Sequence, residues 1–310
     1  MQRTSSGFRI EYVLMLIVTF FWAIGHPLGR IIVRRVHPFQ LGAVTLTTGC
    51  IGLFIFLILS GRLGKIRELS TRDLLISLAL GVFGFFFYQI LTFSALARIP
   101  ASMNAVLVST NVVFIALLAG LILHERIIPP RIAGIALALV GVVLVTFNRG
   151  FRLGGDADIG FLGCSFSLLA ALSFAFYSIV GKRVVADNDP LIVASLGLLS
   201  GSVLLILFTA ATRGFDEVFS AGPRIFLLMV FLGLTMIGIA YPLWFTCLKR
   251  LPASHASVYI YMTPVFAVIL SLIILRERFA WPFWLGGACI LGGVILTNRF
   301  ASARPREHTE

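Results

Sequence analysis

Residues 93–126 read FSALARIPASMNAVLVSTNVVFIALLAGLILHER, and residues 245–278 read FTCLKRLPASHASVYIYMTPVFAVILSLIILRER. Laid over one another, Phe93 falls on Phe245, Leu96 on Leu248, Arg98 on Arg250, and Pro100-Ala101-Ser102 on Pro252-Ala253-Ser254. Phe114 then falls on Phe266, Leu123 on Leu275 and Glu125-Arg126 on Glu277-Arg278, every pair 152 residues apart. The same offset joins Gly134 to Gly286 and Gly141 to Gly293. Backwards it joins Gly81 to Gly233, Arg72 to Arg224, Pro38 to Pro190 and Gly29 to Gly181. A constant offset means a duplication without net insertion, and a repeat decides the architecture before any local reading. The two halves are set at 1–150 and 151–310.

Composition says where such a chain can live. Of its 310 residues 59% are hydrophobic and 12% charged, with a mean hydropathy of +1.01, too little polar surface to coat a soluble globule. The charged residues also leave uncharged runs: Tyr12 to Gly29, Val36 to Gly61, Leu74 to Ala97, Ala101 to Leu123 and Ile132 to Asn148 in the first half. Ile159 to Gly181, Pro190 to Thr212, Ile225 to Leu248, Pro252 to Leu275 and Phe279 to Asn298 follow in the second. Each is about the 17–25 residues that a helix needs to cross a hydrocarbon core. Barrel strands alternate in polarity and these runs do not, and lipid offers an unpaired backbone N–H no partner, so helices are what remain. The expected fold is an all-α integral membrane protein of ten transmembrane helices, built as two five-helix repeats.

Five spans per repeat is an odd number. The second copy therefore enters the bilayer from the opposite face, and the repeats are inverted about an axis in the membrane plane, an arrangement that places a carrier's site at midplane between them. The formal charge of +12 lies in short basic clusters between runs, which reads as topology signal with no nucleic-acid partner. The larger share of the 25 Lys and Arg falls on the inner side if both termini are cytoplasmic, in the inner or plasma membrane. The first run has the flanks of a signal sequence but the length of a helix, and its repeat partner must stay in the bilayer. Cys50, Cys164, Cys247 and Cys289 sit singly in apolar runs without metal spacing. No metal and no cofactor is expected.

The ten-span layout, Trp22-Ala23 in the first run, and the paired segments Pro100-Ala101-Ser102 … His124-Glu125-Arg126 and Pro252-Ala253-Ser254 … Arg276-Glu277-Arg278 resemble the EamA-type members of the drug/metabolite transporter superfamily. That resemblance covers residues 12 to about 299. It implies a cavity enclosed by the third, fourth, eighth and ninth helices with parts of the first and sixth.

Polar and aromatic residues inside the runs are the candidates for that cavity, because at membrane depth each needs a partner. Trp22 and His26 share a face of the first helix, and Pro27 removes a backbone N–H there, which is expected to break the helix. Tyr88 and Gln89 in the third run, and Tyr241 and Trp244 in the eighth, carry polar groups, with Pro242 between the latter two. Asn104 and Asn111 lie seven apart on one stripe of the fourth helix, facing a cavity or another helix. His255 and Tyr259 form an i, i+4 pair in the ninth, followed by Pro264 as a kink. The expected substrate-binding set is Trp22, His26, Tyr88, Asn104, Asn111, Trp244, His255 and Tyr259, with hinges at Pro27, Pro242 and Pro264. Glu125 and Glu277 at equivalent helix ends are expected to satisfy a neighbouring helix N-terminus or pair with arginine. Gly134 with Ala138, and Ala288 with Gly292, have the small-xxx-small spacing of close packing, within a half or in a homodimer.

Every one of the 13 Asp and Glu lies outside the centre of a run, so a proton carrier there would have to be His26 or His255; otherwise the substrate runs down its own gradient. His124-Glu125 is not followed by the second histidine of a zinc motif, and no acidic cluster, activated nucleophile or phosphate loop occurs, so an enzyme or an ATP-driven pump is not expected. The expected activity is export of a small polar metabolite such as an amino acid or amine by alternating access. A drug or nucleotide-type exporter, or a non-transporting membrane scaffold, stays open.

Overall fold

A computed structural model describes residues 10–122, 129–146, 156–248, 259 and 262–299. It is helical throughout, with no strand among the described residues. The first half contains α1 (Ile10–Ile32), α2 (Pro38–Leu59), α3 (Thr71–Leu96), α4 (Ala101–Ile122) and α5 (Pro129–Thr146). The second contains α6 (Asp156–Asp187), α7 (Pro190–Thr212), α8 (the successive pieces Pro223–Gly233, Leu234–Ile239 and Ala240–Leu248), α9 (Met262–Ile274) and α10 (Trp281–Arg299).

Seven of these carry stretches long and apolar enough to cross a membrane: Ile10–Ile32, Pro38–Leu59, Thr71–Leu96, Ala101–Ile122, Gly160–Gly181, Pro190–Thr212 and Pro223–Trp244. The other three are shorter apolar helices, Ile132–Val145, Met262–Ile274 and Trp281–Leu296. Ten equal spans are therefore not what the described residues contain. Charge-free sequence is longer than helix in two of these places. Leu275–Ala280 is not helical, with Arg276 at φ 52°, and the residues just before Met262 lie outside the described set.

Equivalent residues start equivalent helices. Pro38 and Pro190 each occupy the first turn of α2 and α7, where a missing N–H costs nothing, and the residue before each is the cap: His37 Nδ1 accepts from Phe39 N at 3.3 Å, and Asp189 Oδ1 accepts from Leu191 N at 3.1 Å. Each cap is also tied to the far half. His37 N donates to Glu217 Oε2 at 2.5 Å, whereas Lys65 Nζ donates to Asp189 Oδ2 at 3.1 Å. Lys65 and Glu217 are themselves repeat mates, so the two ties occupy one place in the repeat with acid and base exchanged.

The helix pairs follow the same exchange. α3 packs on α7 and α8 on α2; α1 packs on α9 and α6 on α4; α2 lies on α7 and α5 on α10. This is the contact set that a two-fold axis relating the halves produces. In lipid, apolar burial does not drive helices together, so contacts must come from close backbone approach. A Cβ on Gly81 would meet Gly197 O at 2.1 Å, and one on Gly233 would meet Thr45 O at 2.5 Å; the four residues form two mated pairs.

Immediately after each of these glycines the helix widens into a π segment, Val82–Phe87 in α3 and Leu234–Ile239 in α8. Between α5 and α10 a Cβ on Gly293 would meet Gly134 O at 2.5 Å and Ala138 N at 2.6 Å. The Gly134/Ala138 face, expected to pack within a half or in a homodimer, is used across the two halves of one chain, because α5 and α10 lie against each other.

Leu46, Leu53, Leu57, Leu191, Leu198 and Leu205 fill the centre between α2 and α7. Ile51 and Ile55 of α2, with their mates Val203 and Leu207 of α7, stay exposed on the outer faces, where lipid replaces protein as the apolar neighbour.

Two outcomes test this packing. Gly81→Val and Gly233→Val should each lower stability in detergent by about 1–3 kcal/mol through overpacking. Gly64→Ala, with nothing within 4 Å, should leave the melting temperature unchanged. The second test concerns His37. Burial, aided by Arg213 and Arg98 and opposed by Glu217, holds its imidazole below the ordinary value. The folded state therefore favours the neutral ring that caps α2. That contribution is complete above the unfolded value of about 6.5 and is lost as pH falls through the lowered folded value. On acidification from about pH 8 to about pH 5 the wild-type melting temperature should fall further than that of His37→Asn, whose amide caps at either pH.

Candidate functional site

Two constellations meet where α1, α3, α4, α6 and α8 converge. The first is a hydrogen-bonded line across three helices. His26 Nδ1 lies 2.9 Å from Asn104 Oδ1, Asn104 Nδ2 donates to Ser167 Oγ at 2.9 Å, and Ser167 Oγ donates to Gly163 O at 3.2 Å. Asn104 and Ser167 are fully buried, and His26 is 9% exposed. An amide, an imidazole and a hydroxyl are costly at this depth unless each is paired, and here each supplies the next.

The second is a run of aromatic rings. Tyr88 lies 5.6 Å from Phe174, which lies 5.9 Å from Tyr177; Tyr177 lies 5.6 Å from Phe85, and Phe85 6.0 Å from Tyr241. Tyr241 is 6.1 Å from Trp22, and Trp22 5.3 Å from Trp244. Trp22 is held in its pose by Nε1 donating to Met236 O at 3.0 Å, a carbonyl inside the π segment of α8. Beyond Trp244 the apolar cluster of Met15 and Cys247 leads to Tyr259, whose ring stacks on Tyr12 at 6.0 Å and 15°. Trp22, Tyr88, Tyr241, Trp244 and Tyr259 are half-buried.

Of the expected set, Trp22, His26, Tyr88, Asn104, Trp244 and Tyr259 thus belong to these two constellations. Asn111 does not join them. α4 is interrupted at Ser109-Thr110, whose hydroxyls turn back to Val106 O and Leu107 O at 2.7 Å each. The stripe from Asn104 to Asn111 is broken by that turn, and Asn111 is half-buried without a side-chain hydrogen bond among the described residues. His255 and Glu125 lie outside the described residues.

Pro27 does not break α1, which runs continuously from Ile10 to Ile32 around it. The irregularity near Pro242 lies in the π segment just before it, and Pro264 lies within the described helix α9. Glu277 accepts from Ala101 N at 2.8 Å and Ser102 N at 3.3 Å, and also from the Ser102 hydroxyl, so it meets the free donors at the start of α4. Beside it a cleft of about 160 Å³ is lined by Arg30, Arg34, Leu275, Arg278 and Phe279; Arg30 donates to Leu96 O.

Ser167, Tyr177, Tyr12 and the Met236 carbonyl are absent from the expected set. One signal in the sequence separates site from scaffold. Gly81, Gly134, Gly141 and Pro38 of the scaffold match their repeat mates, but the site residues do not: Trp22 pairs with Phe174, His26 with Ser178, Asn104 with Ala256, Trp244 with Thr92 and Tyr259 with Leu107. Tyr177 pairs with Gly25. The two halves also trade volume there, since a Cβ on Gly84 would meet the Tyr177 ring at 2.3 Å and one on Gly25 would meet Met236 Sδ at 2.4 Å.

A multi-pass membrane protein with a buried polar and aromatic centre between two matched halves has the layout of a carrier. The chain belongs to the EamA-like transporter family, whose model matches residues 9–147 and 161–299, and it is thereby a transporter of the drug/metabolite transporter type. It is 24% identical over 93% of its length to an "Uncharacterized transporter" of Archaeoglobus fulgidus, covering 99% of that protein. It is 28% identical over 95% of both chains to a "Probable terminal-alkyne amino-acid exporter" of Streptantibioticus cattleyicolor. A solved crystal structure aligns over 94% of this chain and 99% of its own at a TM-score of 0.63 and 21% identity, a likeness of fold.

Asn104→Ala should cost about 1–3 kcal/mol by leaving His26 Nδ1 unpaired and Ser167 Oγ without its donor in the interior, and Asn111→Ala should stay within about 0.5 kcal/mol. Thermal unfolding of the purified protein in detergent compares the two.

Proposed function

We propose that this chain is a secondary carrier that exports a small polar metabolite, an amino acid or amine, by alternating access. Ten spans form two inverted five-helix repeats, 1–150 and 151–310, with both termini cytoplasmic in the inner or plasma membrane. Trp22, His26, Tyr88, Asn104, Asn111, Trp244, His255 and Tyr259 contribute to the path. Pro27, Pro242 and Pro264 mark where α1, α8 and α9 flex.

The observation that carries this reading is the exchange of helix contacts by the repeat offset together with a centre where the two halves stop matching. Matched halves can adopt each other's packing, which is the requirement for opening to either face. A centre with aromatic faces, amide and imidazole, and no guanidinium or carboxylate among the described residues, suits a small ammonium-bearing solute better than an anion. The printed name of the Streptantibioticus relative supports an amino acid as the solute class.

In liposomes the purified chain should carry members of a radiolabelled panel of amino acids and amines, measured by filtration. Trp244→Ala and Tyr259→Ala should each cut the flux about five- to thirtyfold if the rings hold the solute with the 1–2 kcal/mol of a desolvated cation–π contact. Flux equal to protein-free liposomes for every compound would sink the carrier reading.

A further inference from the structure

The direction of every hydrogen bond in the line that begins at His26 is forced from its far end. Gly163 O is a carbonyl and can only accept, so the Ser167 hydroxyl proton is committed to it. Ser167 Oγ must then accept from Asn104, which turns the amide nitrogen towards Ser167 and the amide oxygen towards His26. An amide oxygen can only accept, so His26 Nδ1 carries a proton. In the neutral ring the lone pair is therefore on Nε2.

Among the described residues that nitrogen has no hydrogen-bond partner. The sealed and unpartnered polar side-chain atoms among the described residues are Gln40 Oε1, Thr92 Oγ1, Thr263 Oγ1 and Ser271 Oγ; Nε2 is not one of them, and His26 as a whole keeps 9% of its exposure. The lone pair is therefore unpartnered but not sealed, in a buried residue one helical turn from Trp22 of the aromatic run.

We propose that Nε2 of His26 is the coupling site of the carrier, where a proton and the ammonium group of the solute compete for one lone pair. The proposal rests on the carrier reading above and adds its energy source. Water at the outer face delivers a proton to Nε2, giving an imidazolium with two N–H groups. When that proton has left to water at the inner face, the lone pair accepts an N–H of the ammonium, which then departs outward. One proton enters for one solute exported, and no other reactant is needed.

What makes His26 fit for this is that taking up the proton breaks nothing. Nδ1–H already donates to Asn104 in the neutral ring and continues to do so in the charged one, so the anchor through Ser167 to Gly163 is the same in both states. The neighbours of this part of α1 leave the field to the ring itself. From α4 come Asn104 and Ala105, from α6 Ser167, from α8 Tyr241, Trp244 and Met236, from α9 Phe266 and Ala267, and from α3 Phe93 and Leu96. The one titratable side chain among them is the Tyr241 phenol. The nearest charge along the helix, Arg30, is turned to Leu96 O.

Two measurements on the full chain test this. Nitrogen NMR of the isotope-labelled histidines in lipid nanodiscs, with His26 identified by its loss in His26→Gln, should find Nδ1 protonated and Nε2 bare near pH 8. Nε2 should gain its proton on acidification to about pH 5. Ser167→Ala, which leaves the imidazole in place but lets the Asn104 amide turn over, should mix the two tautomers. A bare Nδ1, or a ring that never changes state across that range, overturns the proposal.

The second measurement is uptake into liposomes of radiolabelled phenylalanine and tyramine with and without an imposed pH gradient. Wild type should accumulate solute against its gradient when protons can flow the other way, and His26→Gln should fall to the level seen without a gradient. Flux that ignores the gradient, or gradient-driven accumulation retained in His26→Gln, overturns proton exchange at His26 and leaves the carrier standing. A titrating Nε2 of the stated tautomer in a protein that moves neither compound supports the proton site and counts against the choice of solute.

Discussion

Close contact between backbones holds this protein together. Where Gly81 meets Gly197 and Gly233 meets Thr45, two helices approach until a single methyl group would collide with a carbonyl oxygen. A soluble protein could assemble the same helices by hiding leucine from water. In a bilayer the lipid tails are as apolar as leucine, so dispersion at short range, summed over long contacts, must do it. The rest of the arrangement follows from these crossings. They set the α2–α7 centre and the positions of α3 and α8 on either side of it, and α1 and α6 come to rest in the spaces that remain.

Both crossings are followed at once by a π segment, which widens the helix and turns carbonyls out of register. In α8 one of those carbonyls, Met236 O, is what Trp22 donates to. The tight contact and the site are therefore one construction. The glycine brings the backbones together, the widened turn beside it frees an acceptor, and the indole fixed by that acceptor begins the row of rings reaching Tyr88 on one side and Trp244 on the other.

The scaffold was legible in the sequence because a duplication writes it twice. Pro38 and Pro190, Gly81 and Gly233, and Gly141 and Gly293 were paired by offset alone, and each pair occupies equivalent places. Helix length was read less well, since absence of charge does not oblige a residue such as Leu275 or Phe279 to be helical. Helical spacing also failed at Asn111, because two consecutive hydroxyl residues, Ser109 and Thr110, competed for the carbonyls of their own helix and interrupted it. Pro27 was read as a break and is absorbed by a continuous helix. Asn104 stood out as an amide in an apolar run, whereas its partner Ser167 did not, there being nothing to separate it from the half-buried Ser165 two residues earlier.

Glu277 gives the fold an order in time. The donors at the start of α4, Ala101 N and Ser102 N, wait for a carboxylate that the ribosome supplies 175 residues after Ser102. Until then α4 has left the ribosome with its first turn unmet. The first half cannot reach its final state on its own, however complete its five segments are, and the last helix pair to be synthesised brings the group that finishes the fourth helix.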